Sequence, residues 1–125
     1  MAAAVLLLSA SAAFADCAHP ETISASDLSA TAASGAIYCY QVTAQAGQQI
    51  NLSVTSANGD VVFAVFAPGW QVACTGEGDC DVEGEQLSED EAKSWSDTAP
   101  SNGSYLIVID NLRSDADYEL AIDIH

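Results

Sequence analysis

From Ile37 onward the chain alternates. Tyr38, Tyr40, Val42 and Ala44 are separated by Cys39, Gln41 and Thr43. A period of two predicts a β-strand with one face in a core. Ala46-Gly47-Gln48 reads as a turn. Ile50, Leu52 and Val54 then alternate with Asn51, Ser53 and Thr55, which predicts a second strand with one wet face. Ala57-Asn58-Gly59-Asp60 carries an Asn-Gly pair, the strongest short signal for a hairpin. Val61 to Ala67 is continuously apolar and predicts a buried central strand, ended by Pro68-Gly69. Trp70 to Cys74 reads as strand-like. Pro100 and Gly103 mark a turn. After them, Tyr105-Leu106-Ile107-Val108-Ile109 predicts another buried strand, rich in β-branched residues. Asp117 to Ile124 closes the pattern, with Tyr118, Leu120, Ile122 and Ile124 on one face.

Outside these segments the pattern changes. Val5-Leu6-Leu7-Leu8 followed by Ala13-Phe14-Ala15 resembles the apolar region and cleavage site of a secretory signal, so residues 1–15 are expected to be a signal peptide. The basic stretch that normally precedes such a region is missing, so the signal is expected to be incomplete at its start. The apolar stretch is short of the ~20 residues that a membrane-spanning helix needs, so no membrane insertion is expected. Residues 16–36 are rich in Ala, Ser and Thr and read as an extended lead-in. Residues 77–91 hold eight carboxylates, Glu77, Asp79, Asp81, Glu83, Glu85, Glu89, Asp90 and Glu91. Such a density of like charge predicts an exposed loop. Within it, Ser88-Glu89-Asp90-Glu91 fits a capping box, predicting one helical turn before Trp95. Short strands between turns, with no helical period elsewhere, predict an all-β antiparallel sandwich or barrel over residues 37–125.

Four cysteines, Cys17, Cys39, Cys74 and Cys80, form an even set in a short exported chain and read as a disulfide framework, with three pairings open. Cys74 and Cys80 flank the flexible Thr75-Gly76-Glu77-Gly78-Asp79, which favours Cys74–Cys80 and leaves Cys17–Cys39. The formal charge is −16, from 18 acidic residues against Lys93 and Arg113. Nucleic acid is excluded as a partner, because binding phosphate needs a basic surface. A basic protein is the complementary partner, and solubility is the plainer reason for the charge.

Taken in order, several of these segments resemble bacterial pre-peptidase C-terminal domains. Tyr38 to Ile50 matches their aromatic strand, Ala-Gly-Gln turn and alternating strand. Val61 to Gly69 is similar to their next strand. Trp95, Pro100, Gly103 and Tyr105 resemble their Trp…Pro-x-x-Gly-x-Tyr turn, and Tyr118-Glu119-Leu120-Ala121-Ile122 their closing strand. The resemblance implies a jelly-roll-like β-sandwich over most of residues 37–124. Within that group, Pro100…Gly103-Ser104-Tyr105…Arg113-Ser114-Asp115-Ala116 is also similar to periplasmic inhibitors of g-type lysozyme. That likeness implies a periplasmic or secreted protein whose Arg113, Ser114 and Asp115 enter a lysozyme cleft, with Ser101 and Tyr105 beside them. Val108 stands where that family has an arginine, and the acidic insertion between the cysteines is not part of the pattern.

The residues also support plainer roles. Arg113 among Asp110, Asp115 and Asp117 can serve as a local salt bridge. Trp70 and Trp95 read as packing residues, with stacking on a sugar or partner as the alternative for Trp70. Asp79, Asp81, Glu83 and Glu85 are candidate calcium ligands, though their spacing is not that of an EF-hand loop. His19 and His125 sit at the two ends of the chain, away from any Ser or Cys they would activate. No catalysis and no cofactor are therefore expected. The expected role is an exported binding domain. One alternative is a lysozyme inhibitor using the Arg113 loop and the turn near Tyr105; another is a calcium- or surface-binding protein using the acidic loop.

Overall fold

A computed structural model describes residues 17–24, 27–32, 37–57, 59–74, 80–112 and 116–125. The expected signal peptide lies outside them. Ten strands are formed: β1 Glu21–Thr22, β2 Leu28–Ala32, β3 Ile37–Ala44, β4 Gln49–Ser56, β5 Val61–Phe66, β6 Gln71–Cys74, β7 Cys80–Glu83, β8 Ser94–Thr98, β9 Gly103–Asn111 and β10 Ala116–Ile124. The residues expected as a lead-in thus contribute β1 and β2.

Two four-stranded sheets face each other, in the orders β1-β3-β9-β5 and β2-β10-β4-β8. All pairings within them are antiparallel except β1 with β3. Between these two sheets the chain crosses from β1 to β2, β2 to β3, β3 to β4, β4 to β5, β8 to β9 and β9 to β10. This is the expected all-β, jelly-roll-like sandwich. The strand alternation builds its core. Tyr38, Tyr40, Val42 and Ala44 of β3 meet Ile50, Leu52 and Val54 of β4 and Tyr118, Leu120 and Ile122 of β10 between the sheets. At its centre the Tyr40 and Tyr118 hydroxyls are 2.9 Å apart and buried. Burial pushes both phenols above their ordinary pKa, so the pair stays neutral and satisfies two polar groups that would be costly to bury alone.

A second, smaller core lies outside the first sheet. β6 and β7 pair as a hairpin closed by the Cys74–Cys80 disulfide, and Cys17–Cys39 ties the N-terminal segment to β3. Both bridges are the expected ones. Cys17, Cys39 and Leu106 are buried there, with Phe66, Trp70, Val72, Val82 and Val108 packed around them. The outward side chains of β3, β5 and β9 are therefore covered in part. This is why β5 and β9 read as unbroken apolar runs, whereas β4 and β10 alternate.

Three expectations are corrected. The turn at Gly59 (φ 72°) does not close a hairpin, because β4 already pairs with β10 on one edge and β8 on the other. With no free edge beside it, β5 crosses to the first sheet. β5 is then the last named strand of that sheet rather than a central one, and residues 85–92 run along its outer edge. Phe63 exchanges backbone hydrogen bonds with Ala92 at 2.8 and 2.9 Å, and Leu87 N–H donates to the Val65 carbonyl at 2.8 Å. The helical turn at Ser88 is absent for the same reason. Its hydroxyl accepts from Val65 N–H at 2.9 Å, so the atom that would cap a helix is spent across β5. Residues 80–91 of the acidic segment are accordingly part strand and part edge cover, with exposed carboxylates and backbone in use.

Candidate partner-binding surfaces

The turn between β8 and β9 is rigidly braced. Tyr105 OH donates to the Ser101 carbonyl at 2.6 Å and accepts from Ser101 N–H at 3.2 Å. Asn102 Oδ1 accepts from Ala46 N–H at 2.7 Å, and Ala99 N–H donates to the Gln48 carbonyl at 2.7 Å. Gly103 has φ 143°, and a Cβ there would come within 2.9 Å of Pro68 Cβ, so the position needs glycine. Trp70 Nε1–H donates to the Ser104 carbonyl at 2.9 Å, fastening the β6–β7 hairpin to the same strand. Trp70 therefore packs rather than standing free. Of the expected contact residues in this turn, Ser101 is exposed while Tyr105 is 1 % exposed and acts as the post that holds the turn.

Arg113, Ser114 and Asp115 lie outside the described residues. The strand that precedes them in the chain, β9, is described. Asn111, where β9 ends, is six residue steps beyond Tyr105, or ~20 Å along an extended strand. The turn at Ser101 and the loop after Leu112 thus belong to opposite ends of β9. At the loop end Leu112 N–H donates to the Asp60 carbonyl at 3.0 Å. The two exposed large hydrophobic side chains among the described residues are also here, Leu112 at 44 % and Ile37 at 46 %.

Beside them a groove of about 240 Å³ opens on the outer face of the first sheet. Val62, Ala64 and Val108 form its apolar part, and Asp90, Glu91 and Asp110 its carboxylates. Register explains the grouping. Val62 pairs with Asp110 and Ala64 with Val108, so all four share one face, and Ile37 sits opposite Asp110 on the other side. The turn after Leu87 brings in Asp90 and Glu91, with Glu91 held at φ 57°. Burial raises the Asp110 pKa above its ordinary value, and the Asn111 backbone N–H offsets part of the rise. The sequence named Asp90, Glu91, Asp110 and Val108 separately but gave no sign that they meet, because Val62, Ala64 and Val108 were hidden in continuous apolar runs.

The outer face of the second sheet is different. A groove of about 490 Å³ is lined there by Asn51, Ser53, Ser94, Ser96 and Asp123 among others. Its polar groups bond one another. Gln49 Nε2–H donates to Ser96 Oγ at 2.8 Å, Ser96 Oγ–H to Asn51 Oδ1, and Asn51 Nδ2–H to Asp123 Oδ2 at 3.2 Å. His125 Nδ1 lies 3.1 Å from the same carboxylate.

Of the candidate calcium ligands, Asp81 and Glu83 share the exposed face of β7, Glu85 is exposed, and Asp79 lies outside the described residues. Alternate residues on a strand are ~6.6 Å apart, a spacing that lines a face rather than wraps an ion. Among the described residues no three Asp, Glu, His or Cys side chains gather as a metal site.

A small disulfide-braced β-sandwich whose exposed features are grooves and acidic surface is the class these observations define. No protein-family model and no curated protein sequence matches the chain. Solved structures share its fold. PliG of Aeromonas hydrophila, a periplasmic lysozyme inhibitor of g-type lysozyme, superposes with TM-score 0.61 at 20% identity, covering 84% of this chain and 96% of that one. PliG of Salmonella Typhimurium, of the same description, gives TM-score 0.54 at 15% identity over 84% and 98%. The pre-peptidase C-terminal domain of a Bacillus anthracis collagenase gives 0.58 at 13% identity over 83% and 94%. The resemblance read from the residues is borne out at the level of the fold.

Proposed function

We propose that this chain is an exported, non-catalytic binding domain whose partner is a basic protein, with a g-type lysozyme as the specific candidate. The observation that carries the reading is the pairing of this fold with a formal charge of −16. The same sandwich, over nearly the whole chain, serves as a periplasmic inhibitor of g-type lysozyme in Aeromonas hydrophila and Salmonella Typhimurium. The strongly acidic surface attracts a cationic partner over a Debye length of about 10 Å at moderate salt and speeds encounter. Two disulfides support an oxidising compartment such as the periplasm or the exterior. Arg113, which follows β9 in the chain, is the proposed partner contact carried over from the family likeness, suited to holding a cleft carboxylate with two hydrogen bonds.

The test is whether the purified chain, with both disulfides formed, slows lysis of bacterial cell walls by g-type, c-type and i-type lysozymes at low and moderate salt. The expected result is inhibition of the g-type enzyme that weakens with added salt and with Arg113→Ala. Full lytic activity of every class, at inhibitor concentrations well above micromolar, would sink the lysozyme reading.

A further inference from the structure

We propose that the groove between residues 89–91 and strands β5 and β9 is an anchoring pocket for one arginine or lysine side chain of the basic protein partner. The inference rests on the reading that the partner is basic, and it names where that partner is held. Size is the first argument. At about 240 Å³ the groove falls below the ~300–1,000 Å³ typical of small-molecule sites, but it accommodates one long side chain. Chemistry is the second. Half-buried Ala64 and Val108, over the buried Val62, offer an apolar bed for an aliphatic stem, and Asp90, Glu91 and Asp110 offer acceptors for its cationic head. Asp90 Oδ1 accepts from Gln86 Nε2–H at 2.8 Å, and none of the three carboxylates forms an ion pair among the described residues.

Surroundings supply the third argument. Ile37 and Leu112 stand exposed at the same end of the sheet, Ile37 directly opposite Asp110. An apolar pair beside an acidic pocket is the arrangement of an interface in which hydrophobic contacts exclude water around a charged anchor. The other acidic face differs. On β10, Asp117 accepts from Thr31 Oγ1–H at 2.7 Å and Asp123 from Asn51, and no exposed large hydrophobic side chain stands beside them among the described residues.

The experiment maps binding by amide chemical shifts of the full chain, titrated with a short synthetic peptide alternating arginine and leucine, and separately with g-type lysozyme. Two triple variants remove equal charge from different places: Asp90→Asn with Glu91→Gln and Asp110→Asn in the groove, and Asp117→Asn with Glu119→Gln and Asp123→Asn on β10. The expected result is peptide-induced shifts concentrated at Val62, Ala64 and Val108. Affinity should fall ~10-fold or more in the groove triple and less than ~3-fold in the β10 triple. Equal losses in the two triples, or shifts spread along β10, overturn the pocket and leave attraction by net charge alone. Lysozyme binding that survives in the groove triple also overturns the pocket while keeping the lysozyme reading. Peptide held in the groove with lysozyme ignored keeps the pocket and removes the lysozyme reading.

Discussion

On the outside of the first sheet, Cys39 and Leu106 are 0 % exposed beneath a disulfide-closed hairpin; on the outside of the second, Asn51, Ser53, Glu119 and Asp123 meet water. Both sheets supply the shared core through the same two-residue alternation. They differ in what occupies the outward positions. Where those are apolar, the chain spends β6, β7, the N-terminal segment and Trp70 to cover them, and the cover stops short over Ala64 and Val108, which stay half-buried. Where they are Ser, Thr, Asn and Glu, the face is left open and its groups bond sideways. A surface left partly covered and apolar carries more binding potential than one already satisfied by its own hydrogen bonds.

The comparison breaks most severely if the shared core is emptied. Leu120→Ala removes a side chain with 0 % exposure between the sheets and should cost ~2–5 kcal/mol, read from the midpoint of urea unfolding. A loss below ~1 kcal/mol would mean that the sheets are not packed there as described.

Uncovering the first sheet is the next test. Replacing both Cys17 and Cys39 by Ala opens a closure of sequence separation 22 and should cost ~3 kcal/mol. The same change at Cys74 and Cys80, separation 6, should cost ~2 kcal/mol, because the shorter loop constrains the unfolded chain less. Trp70, bonded to Ser104, keeps the hairpin attached in the second case. The order of the two losses, by denaturation under non-reducing conditions, is the readout; a reversed order would show that the hairpin cover dominates.

Asp110 sharpens the contrast through pH. Its folded pKa is raised by burial, so between its unfolded and folded values the native state holds the extra proton. The stability this contributes is fully present below the unfolded pKa and is lost as pH rises through the folded one. Asp110→Asn should therefore match the parent protein at acid pH and be equal or slightly more stable at neutral pH, measured by urea unfolding at both. A variant that is less stable only at neutral pH would reveal a favourable partner for the carboxylate.

The smallest effect is expected on the open face. Asn51→Ala cuts the chain of bonds from Ser96 to Asp123, yet should change stability by no more than ~0.5 kcal/mol, since water replaces exposed partners. A loss above ~1.5 kcal/mol would make this face a structural element equal to the covered one.

Much of the fold was legible because β-structure is written locally. The alternation over Tyr38–Ala44, Ile50–Val54 and Tyr118–Ile124 named the core-facing residues, and short connecting loops marked strand ends. Ala46-Gly47-Gln48 turned as expected, with Gly47 at φ 92°. The disulfide pairing followed from a loop too short for much else. The candidate site was legible in smaller part. Ser101 stands exposed as a surface residue should, and Tyr105, an aromatic at the start of an apolar strand, is buried with its hydroxyl bonded to the turn. The groove was not legible, since Asp90 and Glu91 reach Val62 and Asp110 only through the edge pairing of residues 85–92 with β5.

The amino-acid pattern by itself determined that the chain is an acidic, disulfide-braced stack of short strands with one shared core, because side-chain alternation and turn chemistry act within a few residues. Only the tertiary structure decided which strands are neighbours. Asn58-Gly59 specifies a reversal of direction and nothing about the sheet that receives β5; that choice fell to β10 and β8, which had already taken both edges of β4. The same long-range competition for backbone hydrogen bonds drew Ser88 out of a helical turn and laid residues 85–92 along β5.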